Sequence, residues 1–258
     1  MLHEIPEQLE VMKGLTKHSA RINHPTEVPQ KISEAFRQLR SGRPRPVGLE
    51  MPMDIMWKKS EVTLGSRTSG CPAPLPDPDL VEKAAKILGE SQQPMIFVGG
   101  GAYEACQEIK TLAETLQAPV ISYQNGRGIL DERHYLAHTN TAGAILWKNC
   151  DAAISIGCRM QAERMSWGMD DALKIIHVDI DPTEINRIMK PDVGLVSDAA
   201  FTTRKINDAL NKYNLKRTSR EEEMLNLKAQ AEKLMEEKAG PQMAWLRAIR
   251  DILPDNGL

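Results

Sequence analysis

Three short stretches of this 258-residue chain combine residue types that could hold a phosphorylated ligand. Gly99-Gly100-Gly101 follows an apolar run and precedes a helical pattern. Glycine lets backbone N–H groups approach a phosphate closely, and a helix N-terminus favours its negative charge. Gly157-Cys158-Arg159 ends a second apolar run, where an arginine suits a phosphate or the face of a flat ring. Asp179 and Asp181 close a third, just before Pro182. Carboxylates in such a place can accept hydrogen bonds from ribose hydroxyls. Each stretch also has a plainer reading. The glycines suit a tight turn, Arg159 an ion pair, and the aspartates the cap of a helix that Pro182 opens. Capping fits Asp181 better, and ribose contact fits Asp179 better. A standard NAD site is disfavoured, because Glu104 replaces the third glycine of G-x-G-x-x-G and Ser122-Tyr123-Gln124 supplies no acid at the second strand end.

These stretches need strands that end together. Over 79–213 the pattern alternates helix and strand: helix 79–89, strand Pro94–Val98, helix Tyr103–Leu116, strand Pro119–Tyr123, helix 141–149, then strands Ala152–Ile156, Lys174–Val178 and Val193–Val196. Right-handed crossovers make such a series an α/β, doubly wound parallel sheet. The prediction is a Rossmann-like central domain at 79–213 with partial flanking domains. Residues 1–57 show one helix near Pro29–Arg40, a turn at Ser41–Pro46 and one short strand, too little to bury a core. Residues 58–78, ending in Pro72, Pro74, Pro76 and Pro78, read as an extended linker. From 214 to 258, a charge-dense segment (Lys216–Lys238) has a thin apolar stripe of Met224, Leu225, Leu227 and Leu234 and reads as a solvated linking helix, followed by a helix over Gln242–Leu253.

Several other chemistries are excluded. Net charge is −2, so there is no broad cationic footprint for nucleic acid. No apolar run reaches the roughly 18 residues that cross a bilayer. Cys71, Cys106, Cys150 and Cys158 have no Cys-x-x-Cys spacing and read as reduced thiols of a cytoplasmic protein. His134 and His138 lie four apart without an H-E-x-x-H arrangement, in a segment that reads as loop. His177, inside an apolar strand, reads as a hydrogen-bonded core histidine. There is no Gly-x-Ser-x-Gly elbow and no Walker loop.

Further stretches carry a shared pattern. They are Leu15-Thr16-Lys17-His18-Ser19-Ala20-Arg21, Ser41-Gly42-Arg43-Pro44-Arg45-Pro46-Val47, Leu49-Glu50-Met51-Pro52-Met53-Asp54, Gly126-Arg127-Gly128-Ile129-Leu130-Asp131 and Lys174–Ile185. In order and spacing, the chain resembles the middle of a thiamine-diphosphate-dependent enzyme of the acetolactate synthase-like family.

The resemblance implies a 2-oxo acid decarboxylase or carboligase in which thiamine diphosphate serves as the electron sink and Mg2+ holds its diphosphate. In that family a glutamate early in the pyrimidine-binding domain promotes ylid formation, and a Gly-Asp-Gly…Asn motif binds Mg2+. By the family's order, both fall outside residues 1–258. The expectation is therefore a central-domain portion, from a truncated or split gene, that binds no thiamine diphosphate and is inactive alone. His3 resembles a position bordering the substrate pocket. In flavin-dependent relatives the central domain holds FAD, and Gly99, Gly100, Gly101, Arg159 and Asp179 are the implied contacts for FAD or ADP. Arg159–Arg164 lacks the acids of the family's "RFDDR" segment, and Thr139–Gly143 stands where acetolactate synthases carry "GMHG". An empty or ADP-binding cleft thus fits as well as FAD. Full-length members are homo-oligomers, dimers or tetramers. The alternative is a non-catalytic nucleotide-binding or interaction module.

Overall fold

A computed structural model of the chain describes residues 5–65, 69–169 and 172–254. It divides into two compact units, Met1–Ala73 and Pro74–Leu258, with the division inside the proline-rich segment.

The first unit holds α1 (Gln8–Leu15), β1 (His18–Arg21), α2 (Val28–Leu39), β2 (Val47–Glu50) and α3 (Met53–Met56). Pro29 lies in the first turn of α2, where the N–H it lacks would have no helical partner. β1 and β2 pair in parallel, with His18 opposite Val47 and Arg21 opposite Glu50. Arg21 donates to the buried Glu50 carboxylate across this pair. The sequence pattern had suggested one helix and one strand here. α1 and β1 are additional, and β1 (His-Ser-Ala-Arg) lacks the apolar alternation that marks a strand.

The second unit begins with α4 (Pro78–Glu90), β3 (Pro94–Val98), a 3-10 segment at Gly100–Ala105, α5 (Cys106–Leu116), β4 (Val120–Ser122), β5 (Ala137–His138) and α6 (Asn140–Leu146). It continues with β6 (Ala152–Ile156), a π-helical turn at Glu163–Trp167, β7 (Lys174–Asp179), α7 (Pro182–Ile185), β8 (Val193–Val196), α8 (Ala199–Leu210), α9 (Glu221–Ala239) and α10 (Pro241–Ile252). Six strands form one sheet in the order β5-β4-β3-β6-β7-β8, with every pair parallel. This is the predicted doubly wound sheet.

Its strands are buried on both sides, which explains why they read as continuous apolar runs. Ile96, Val98, Ile154, Ile156, Ile176 and Val178 share one core with α4, α5 and α8. Met95, Phe97, Ala153 and Ile175 face the other way, against Trp147, Met160 and Leu173. That second face is covered by the β6–β7 crossover and the turn at Trp147–Asn149 rather than by long helices.

The solvated linking helix expected over 216–238 is corrected by the structure. In α9, Met224, Leu227 and Ala231 are buried in the main core, while Leu225 is exposed. A three-residue stripe suffices because its neighbours are small, Ala137 and Ala142 among them. Lys228 of α9 also donates to the carbonyls of Glu132 and His134, at 2.7 and 2.8 Å.

His138, at the end of β5, is buried near Lys228, Arg220 and Glu223. Burial, reinforced by Lys228, pushes its pKa down to about 4. An unfolded histidine titrates near 6.5, so the folded state binds this proton less well than the unfolded chain does. The associated stability is complete above about pH 6.5 and is lost as the pH falls toward 4, amounting to on the order of 3 kcal/mol. Urea unfolding at stepped pH should show a steeper acid loss for the natural chain than for His138→Leu, in which no buried imidazole has to charge.

Candidate functional site

The sheet reverses its winding direction between β3 and β6, and a doubly wound fold opens its ligand crevice at such a point. Here the crevice is spanned by backbone. Gly99 N–H donates to the Ile156 carbonyl at 3.3 Å, and Gly101 N–H to the Gly157 carbonyl at 3.2 Å. A Cβ on Gly99 would lie 2.7 Å from the Gly157 oxygen, and one on Gly101 2.8 Å from the Gly157 Cα. Gly157 itself adopts φ +60°, a left-handed conformation that favours glycine. The glycines thus let two strand ends touch. Two of the triplet's three amides are bonded to carbonyls in this contact.

Arg159 lies just beyond this contact. Its Nε and Nη2 form a two-pronged pair with the Glu184 carboxylate, both at 2.8 Å, and Arg187 Nη1 joins at 2.9 Å. Glu184 is buried in α7, at the start of the β7–β8 connection, and the Arg159 hydrogen bond holds its carboxyl below the usual range. The Nε–Nη2 edge is taken by this carboxylate, and the arginine side chain is 39% exposed. The aspartates serve the backbone. Asp179 Oδ1 accepts from Asp181 N–H at 2.9 Å, and Asp181 Oδ1 accepts from Thr183 N–H at 3.0 Å, capping α7. His3 lies outside the described residues.

A second polar group was not foreseen from the sequence. Tyr123 after β4, Ser155 on β6, His177 on β7 and Cys158, Glu163 and Arg164 from the crossover meet beneath the second face. The Tyr123 hydroxyl donates to the Glu163 carboxylate, and Arg164 Nη1 donates to the Met189 carbonyl at 3.0 Å. Glu163 Oε1 and Arg164 Nε and Nη2 have no hydrogen-bond partner. His177 is buried in the sheet, as expected of a core histidine, with the backbone of Ile185 and Cys158 beside its ring. Burial pushes the Glu163 and Tyr123 pKa values up and that of His177 down. It raises the Cys158 thiol to about 12, so this cysteine is no nucleophile at neutral pH. Adjacent charges in a crossover look like surface residues in sequence, and only the π-helical turn carries Glu163 and Arg164 inward. His134 does not join His138 at a metal: its Nε2 pairs with Glu114 Oε1 at 3.1 Å. Among the described residues, no three His, Cys, Asp or Glu side chains form a cation site.

The structural reading of the triplet distinguishes its members. Gly101→Ala forces a Cβ against the Gly157 backbone and should destabilise the fold by about 1–3 kcal/mol. Gly100→Ala, whose Cβ would sit 3.3 Å from its nearest neighbour, should cost much less. Paired urea melts check this ordering, and equal losses would contradict it.

Residues 81–206 match the family model described as thiamine pyrophosphate enzyme, central domain. The chain is 33% identical over 221 residues to a probable acetolactate synthase large subunit of Methanocaldococcus jannaschii, covering 78% of this chain and 37% of the relative. It is 32% identical over 204 residues to the acetolactate synthase large subunit of Corynebacterium glutamicum, covering 72% and 32% respectively. To the acetolactate synthase isozyme 1 large subunit of Escherichia coli it is 30% identical over 195 residues, covering 71% and 34%. The chain thus spans about a third of the length of these curated relatives. No described helix is long and apolar enough to cross a membrane. By these matches the chain belongs to the thiamine pyrophosphate enzyme family, with residues 81–206 matching its central domain.

Proposed function

We propose that this chain supplies the central domain of a thiamine-diphosphate-dependent 2-oxo acid decarboxylase or carboligase of the acetolactate synthase type. The supporting observation is that similarity to acetolactate synthase large subunits runs over 221 residues, well beyond the matched central domain. In this reading residues 1–57 belong to a pyrimidine-binding domain, 58–78 form a linker and 214–258 lead into a diphosphate-binding domain. The complete enzyme works as a homo-oligomer, a dimer or a tetramer.

Thiamine diphosphate supplies the electron sink for decarboxylation when bound. The residues present do not fit it. Its diphosphate needs a cation held by oxygen ligands, yet the sequence contains no Gly-Asp-Gly, and the described residues offer no cation site. No catalytic step is assigned to side chains of this chain. Its contribution is to hold a rigid sheet between the elements that carry the reaction, and by itself it is inactive.

The same reading assigns no FAD or ADP to the ligand edge. Gly99 and Gly101 amides are occupied, Arg159 is engaged by Glu184, and Asp179 accepts from the backbone. Calorimetry tests both statements on the folded 258-residue chain. Titration with thiamine diphosphate plus Mg2+, with FAD and with ADP should give no saturable heat. Tight, Mg2+-dependent thiamine diphosphate binding would overturn the first assignment, and FAD or ADP binding that Arg159→Met abolishes would overturn the second.

A further inference from the structure

We propose that Met160–Gly168, in the crossover between β6 and β7, is a lid that opens as a unit while the rest of the central sheet stays folded. The chain leading to it is fixed. Gly157 is locked against the Gly101 backbone, and Arg159 is tied to Glu184. The next residue, Met160, is buried at φ +47°, a left-handed conformation that strains a side chain of its size. At the far end Gly168 adopts φ +86°, a left-handed conformation that favours glycine, and a Cβ there would meet nothing within 4 Å. Between them runs a π-helical turn, a rare geometry that is frequent at functional sites.

Opposed forces act on this segment. Closure buries Glu163 Oε1 and Arg164 Nε and Nη2 without partners, beside the buried His177. A buried polar atom that loses its water without gaining a partner penalises the closed state, and opening returns that water. Closure is held by aromatic packing. Trp167 meets Trp147 edge-on at 5.9 Å and Phe97 at 6.3 Å. Trp147 Nε1 donates to the Gly168 carbonyl at 2.7 Å, and Tyr123 donates to Glu163. Apolar contact closes the lid and unpaired polar atoms open it, the balance from which low-energy local opening arises. Opening uncovers a patch of Tyr123, Ser155 and His177 on the thinly covered face of the sheet, chemistry suited to a small polar ligand.

Arg164 provides the test, because at 7% exposure it is closed to trypsin in the packed state. Limited trypsinolysis of the whole chain is followed by mass analysis of the cut after Arg164 across sub-denaturing urea. A local lid gives cleavage in the absence of urea, at a rate that stays flat until the unfolding transition begins. Trp147→Phe removes the bond to Gly168 and should speed that cut about tenfold. Cleavage that appears only with global unfolding, with the urea dependence of the whole unit, overturns the proposal. That outcome is readable on the natural chain even if the variant fails to fold.

Discussion

The approach of two backbones at the switch point, Gly99–Gly101 against Gly157, governs the rest of the central domain. From this contact the chain leaves in opposite directions: β3 passes to β4 through α5, and β6 passes to β7 through the crossover. With no Cβ on either side, the amides of Gly99 and Gly101 reach the carbonyls of Ile156 and Gly157. The same bonds that join the two halves of the sheet use the donors a phosphate would have needed.

A similar substitution occurs one residue further on. Arg159 has the charge and reach for an anion, and the anion it meets is Glu184. Burying that carboxylate would be costly without partners, but two arginines and close geometry offset the lost hydration. The ligand edge keeps the residue types of a binding site while its groups satisfy one another. Family membership is therefore easier to read from these motifs than occupancy.

Much of the fold was legible in the sequence, for a physical reason. Strands such as Lys174–Asp179 lie between two apolar layers, so they appear as unbroken Ile and Val runs ending in polar residues and proline. The cap at Asp181 was legible because capping is local. β1 was not, since its four residues carry no apolar alternation and its pairing partner is 29 positions away. Glu184 was invisible as the partner of Arg159 because 25 residues separate them. The docked face of α9 was missed because small residues on the neighbouring elements allow a narrow stripe to bury itself. The cluster of Tyr123, Glu163, Arg164 and His177 depends on a single π-helical turn, and no periodicity in sequence announces one.

The sheet's first edge, β5, consists of only two residues, Ala137 and His138. An exposed strand edge is a row of unpaired donors and acceptors to which another chain can add. Two residues give an incoming strand almost no ladder to extend, and the imidazole at their end is buried. A parallel sheet of buried, β-branched strands would otherwise be a ready template for edge-to-edge association. The brevity of β5 leaves an incoming strand little to pair with at this edge of the sheet.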